Sequence, residues 1–123
     1  MSDFVTLKNN PDFRRLYNRG ISVTHPALVI YYSKNRAGIC RIGITTGKKI
    51  GNAVERNRSR RVLMEAFRSV CPSVIPQYDI VIVARSKTKY VKSTRLAEIM
   101  TGIFESRGML KCSTPDDSAS ESE

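Results

Sequence analysis

Lys48, Lys49, Arg56, Asn57, Arg58, Arg60, Arg61 and Arg68 crowd into one stretch, GKKIGNAVERNRSRRVLMEAFR, residues 47–68. Apolar residues recur between them at helical spacing. At about 100° per residue, Val62, Leu63, Ala66, Phe67 and Val70 fall on one side of a helix. Asn57, Arg58, Arg60, Arg61 and Arg68 fall mostly on the other. Such a helix packs on a core while presenting a cationic ridge, roughly 25 Å long at about 1.5 Å per residue. Arginines this close repel one another, so a polyanion is their natural partner. A merely solvated face would mix signs, yet only Glu55 and Glu65 interrupt here. The chemistry on offer is neutralisation of phosphates, the footprint of nucleic-acid binding. The preceding Gly47–Gly51 segment lets backbone approach a ligand beside a helix start. It lacks the spacing of a Walker loop.

Bond-making chemistry finds less support. A protein nuclease needs a base and a nucleophile generator, or carboxylates that hold metal. His25 is the one histidine, beside Pro26 in an extended stretch, where a structural role is the simpler reading. Asp3, Asp12, Asp79, Glu55 and Glu65 form no paired-carboxylate pattern. Cys40, Cys71 and Cys112 are scattered, with no CxxC. They read as reduced thiols of a cytoplasmic protein rather than as a zinc site. The expectation is no catalytic residue, and no metal or cofactor bound by the protein.

The order of these residues is also distinctive. Lys48-Lys49-Ile50-Gly51-Asn52-Ala53-Val54, then Arg56-Asn57-Arg58, Arg60-Arg61 and Glu65-Ala66-Phe67-Arg68 resemble the signature of the bacterial ribonuclease P protein subunit. Phe13, Tyr17, Gly20 and Tyr31 before it and Tyr78–Arg85 after it agree, so the resemblance spans about residues 6–107. Gly47 and Met64 depart from it, standing where the family usually has Ser and a basic residue. The resemblance implies a catalytic RNA subunit as partner, which binds Mg²⁺ and removes the 5′ leader of precursor tRNA. It implies that Lys48, Lys49, Arg56, Asn57, Arg58, Arg60, Arg61 and Arg68 face that RNA. Phe13, Tyr17 and Tyr31 match cleft positions implied to hold the leader strand. If the first helix packs beside the sheet, the three rings line one groove, with Arg14 or Lys89 expected near to hold its phosphates. Aromatic faces there can stack on unpaired bases. Core packing competes as a reading, most evenly for Phe13, less for tyrosines whose hydroxyls need partners. A basic ribosomal or ribosome-assembly protein is the alternative. A helix-turn-helix on DNA fits poorly, because strands separate the first helix from the basic one.

Length and charge set the frame. The 123 residues suit one domain with one small core. Net charge is +10, but Asp116, Asp117, Glu121 and Glu123 all lie beyond Lys111, the last basic residue. The remaining body, 21 basic against 7 acidic residues, carries about +14. The division expected is a single RNA-binding domain over 1–111 and an acidic, disordered tail over 112–123. No apolar run approaches the roughly 18 residues that span a bilayer, and no signal-peptide core opens the chain.

The elements that must position these residues follow a simple order. Asn10, Pro11 and Asp12 look like a helix start, with Phe13, Leu16 and Tyr17 on one face and Gly20 as the stop. Residues 22–33 read as extended, Leu28, Ile30 and Tyr32 facing one way and Val29 and Tyr31 the other. Cys40, Ile42 and Ile44 alternate with Arg41, Gly43 and Thr45 as a half-buried strand. Ile80–Ala84 is continuously apolar, a strand covered on both faces. Ser93 can cap a last helix buried through Leu96, Ile99, Met100, Ile103 and Phe104. The fold expected is a two-layer α/β (α+β) sandwich in the order α-β-β-β-α-β-α, with about four strands and three helices. The resemblance adds a left-handed parallel crossover.

Overall fold

The computed structural model describes residues 4–7 and 10–111, and the acidic segment 112–123 lies outside them. Helix α1 covers Asn10–Arg19, α2 covers Ala53–Val70 and α3 covers Ser93–Ser106. Strands are β1, Phe4–Thr6; β2, Ile21–His25; β3, Leu28–Lys34; β4, Cys40–Thr45; and β5, Tyr78–Ala84. They form one sheet in the order β1-β4-β5-β3-β2. β4 pairs with both β1 and β5 in parallel, whereas β3 runs antiparallel to β2 and β5. The basic helix is therefore the crossover between two adjacent parallel strands.

The expected order holds, with one strand added. β1 is three residues long and has too few positions to show a period. Phe4 anchors it, opposite Cys40 in the ladder and edge-on to Phe67 with ring centroids 5.2 Å apart.

Strand alternation divides the side chains between two faces. Leu28, Ile30, Ile42, Ile80 and Ile82 are fully buried against α2 and α3, where Leu63, Phe67, Leu96, Met100 and Phe104 close the main core. On the opposite face Val81 meets Leu16 and Leu7, with Phe13, Tyr31 and Val83 packed around them. α1 thus adds partial cover on a second face, beyond the two layers expected. β5 is buried on both sides, as its unbroken apolar run requires, with only Val83 half-buried.

Local chemistry fixes the ends. The Asn52 side chain accepts from the Glu55 amide and the Glu55 carboxylate accepts from the Asn52 amide, a reciprocal cap on α2. Gly51 before it has φ 141°, a backbone that favours glycine. Gly20 stops α1 by close approach: a Cβ there would lie 2.5 Å from the Leu16 carbonyl oxygen. Ser93 does not cap α3. It is the first helical residue, and Lys92 ahead of it makes no side-chain cap.

Candidate nucleic-acid interface

α2 exposes the ridge that its spacing demands. Ser59, Leu63, Ala66, Phe67 and Val70 are buried, whereas Asn57, Arg58, Arg60, Arg61 and Arg68 are exposed. Arg56 is half-buried and belongs to the flank rather than the crest. Lys48 and Lys49 start a short 3-10 turn, Lys48–Ile50, that leads into Asn52, and the Lys49 side chain is exposed. Met64 is half-buried, packed against the main core from within a depression that Asn57, Arg60, Arg61 and Arg68 also line.

A second surface forms on the sheet's other face. The Tyr17 and Tyr31 rings meet edge to face, centroids 4.9 Å apart and planes at 77°. The Tyr17 hydroxyl lies 3.5 Å from Thr45 Oγ1. Phe13 packs beside them over Gly43, where a Cβ would clash with its ring. Tyr17 is 40% exposed and Tyr31 half-buried, so the crease between α1 and the sheet, the candidate groove, presents its rings to solvent. Val83 continues its floor into a depression beside Lys49 and Arg85.

These two surfaces lie on opposite faces of the sheet and are linked through consecutive residues at the end of β4. Thr45 touches Tyr17, and Arg60 Nη2 of the ridge donates to Thr46 Oγ1 at 3.2 Å. Alternation turns Thr45 toward the groove and Thr46 toward α2.

The cations first assigned to the groove have different surroundings. Arg14 is exposed on α1. Lys89 Nζ donates to the Ile50 carbonyl at 2.9 Å and to Glu55 Oε2 at 3.0 Å. That grip ties it to the start of α2. The hydrogen bond from Lys89 lowers the Glu55 pKa, and its partner raises that of Lys89.

Arg15 and Arg41 were not singled out by their spacing. Arg41 binds Asp79 through Nε at 2.7 Å and Nη2 at 2.8 Å, Arg15 joins at 2.8 Å, and Asn35 donates at 2.7 Å. Burial opposes ionisation of Asp79, but the donors from Arg41 and Asn35 and the charges of Arg41 and Arg15 prevail and hold its pKa below the usual value. This cluster pins α1 to the sheet and so sets the groove. His25 is structural in the same sense: its Nδ1 accepts from the Ala27 amide in the β2–β3 turn.

Comparison with known proteins gives a consistent result. The sequence model of a family described as Ribonuclease P matches residues 1–107. The Ribonuclease P protein component of Oceanobacillus iheyensis is 38% identical over 107 residues, covering 85% of this chain and 88% of that protein. That of Clostridioides difficile is 44% identical over 84 residues, covering 68% and 74%. Among solved structures, the RNase P protein of Staphylococcus aureus superposes with a TM-score of 0.75 at 29% identity, covering 86% of this chain and 97% of that one. The RNase P protein of Thermotoga maritima gives 0.73 at 26% identity, covering 82% and 96%.

Proposed function

The chain belongs to the ribonuclease P protein family, and we propose that it serves as the protein subunit of that ribonucleoprotein in tRNA 5′ maturation. The α2 ridge holds the catalytic RNA, and the groove between α1 and the sheet holds the 5′ leader of precursor tRNA. The observation that supports this reading is the pair of contacts at Thr45 and Thr46, by which the ring surface and the ridge flank the same end of β4 from opposite faces of the sheet. RNA along the arginines and a strand over the rings then approach the same end of β4 from its two sides, so one protein can engage both catalyst and substrate. Duplex bases have no free face to stack, whereas a single strand does, and this favours a leader over DNA or a helical RNA in the groove.

Cleavage is assigned to the RNA subunit with its Mg²⁺. The protein's polar groups support this division. Asp79, Glu55 and Asp12 are engaged with Arg41, Lys89 and Arg15. Carboxylates spent on such pairs hold the fold rather than a reacting water. Cys40 and Cys71 are buried, and burial raises the Cys40 pKa, which suits a structural rather than a reactive thiol. No helix among the described residues is long and apolar enough to cross a membrane.

The test is reconstitution. Protein alone with Mg²⁺ and precursor tRNA should leave the substrate intact, and adding the catalytic RNA should release a 5′ leader. Cleavage by protein free of contaminating nuclease would overturn the division of labour. Copurification with ribosomal subunits, rather than with one catalytic RNA, would favour the ribosomal alternative.

A further inference from the structure

The last described residue leaves the fold at the end of the arginine ridge. The Lys111 amide donates to the Ser73 carbonyl at 2.6 Å, and Leu110 bridges to Val74. Ser73 closes the short turn that follows Val70, and Arg68 lies in the last turn of α2. Beyond Lys111 the sequence is CSTPDDSASESE, with Asp116, Asp117, Glu121 and Glu123 and no Lys or Arg.

Two depressions are within reach of that exit, and charge separates them. One, about 490 Å³, lies between α2 and α3 beside Ser73 and Leu110, and its rim carries Glu98 and Glu105. The other, about 380 Å³, runs back along α2 from Arg68 through Arg61 to Asn57, with Arg60 on its rim and Glu65 as its acidic member. The first has no lining cation among the described residues and carries Glu105 beside a Glu98 paired with Arg95, so it offers an acidic segment nothing, whereas the second draws it. Length permits it: twelve residues extend at most about 40 Å, whereas Asn57 to Arg68 spans about 17 Å of helix.

We propose that the acidic segment 112–123 docks along the α2 ridge and competes there with RNA. The inference goes beyond the function proposed above, since it needs only the charge of the ridge. Exposed carboxylate–arginine pairs are individually weak. Tethering supplies an effective concentration in the millimolar range, so the contact forms readily, breaks in salt and yields to a better-matched polyanion. Its consequence is selectivity: polyanions that engage only a few arginines are excluded, while an RNA that covers the ridge displaces the segment.

A spin label tests it on the full chain. Cys112→Ser with Ser120→Cys leaves a reactive thiol in the segment, since Cys40 and Cys71 are buried. A nitroxide there should broaden the ¹⁵N-resolved amides of 61–68. The broadening should vanish in about 0.5 M salt, where the Debye length falls to a few ångströms. Neutralising the segment by D116N, D117N, E121Q and E123Q together should abolish it. The neutralised chain should also bind an RNA duplex of about twenty base pairs roughly 3–10-fold more tightly at low salt, and equally at high salt. Broadening of 98–105 instead, or none, would overturn the proposal. So would broadening seen only in mixtures of labelled and isotopically enriched chains, which would place the segment on a second copy. Release by salt but not by RNA would overturn the competition, and with it the RNA role of the ridge.

Discussion

Gly43 of β4 lies directly beneath the ring of Phe13 on α1, so close that a Cβ would come within 2.4 Å of Phe13 Cε1. The absent side chain sets the depth at which the helix sits on the sheet. Gly43→Ala must tilt the ring or lift α1, an overpacking cost of about 1–3 kcal/mol. Urea unfolding should show that loss, and Phe13→Ala combined with Gly43→Ala should cost less than the two separately.

Asp79 gives the fold an acid-sensitive joint. Its folded pKa is depressed, so its contribution is present above the unfolded aspartate value near 4 and is lost as pH falls through the lower folded value. Thermal unfolding followed below about pH 4 should show this loss in the natural chain. Asp79→Asn should flatten that dependence and cost about 1–2 kcal/mol at neutral pH, since Arg41 and Arg15 lose their buried partner but are themselves open enough to be solvated. A variant as stable as the natural chain would remove Asp79 from the account of how α1 is held.

Met64 sits among the arginines with its side chain half-buried. An arginine there can lay its stem over the same apolar surface and keep its head in water. Met64→Arg should therefore fold, with a stability change of about 1 kcal/mol or less. It should steepen the salt dependence of catalytic RNA binding by up to about one unit of slope. Unfolding would show that this part of α2 is turned inward.

Lys89 acts at the start of α2 through Ile50 and Glu55. Lys89→Ala and Glu55→Gln should weaken RNA binding less than additively when combined, because both loosen the same turn ahead of Asn52. If Lys89→Ala weakens leader-bearing substrate alone, and the pair adds fully, Lys89 instead holds a leader phosphate.

Much of this was legible because it is periodic. The buried stripe of α2, the alternation in β4 and the apolar run of β5 each repeat often enough to fix a face. β1 is not legible because three residues carry no period, and Phe4 acquires its place only through Phe67 and Cys40. The Asp79 cluster was illegible for another reason: Arg15, Asn35 and Arg41 stand 64, 44 and 38 residues away. Only the β4–β5 and β3–β5 registers, with α1 laid across them, bring these charges together. The aromatic groove came from the resemblance, since nothing in the spacing of Phe13, Tyr17 and Tyr31 says that helix and strand adjoin. Lys89 reads in the sequence only as a cation of a basic loop, and its grip on the Ile50 carbonyl is a contact with backbone that sequence does not disclose.

The most direct measurement compares precursor tRNA carrying a leader with mature tRNA, each bound to the assembled holoenzyme. Tyr17→Ala and Tyr31→Ala, shown to be folded by circular dichroism, should each weaken binding of the precursor by about 1–3 kcal/mol. Binding of mature tRNA should barely change, because it has no leader to lose from the groove. Equal losses for the two substrates would contradict the account, since the rings would then be holding the fold or the catalytic RNA rather than the leader strand.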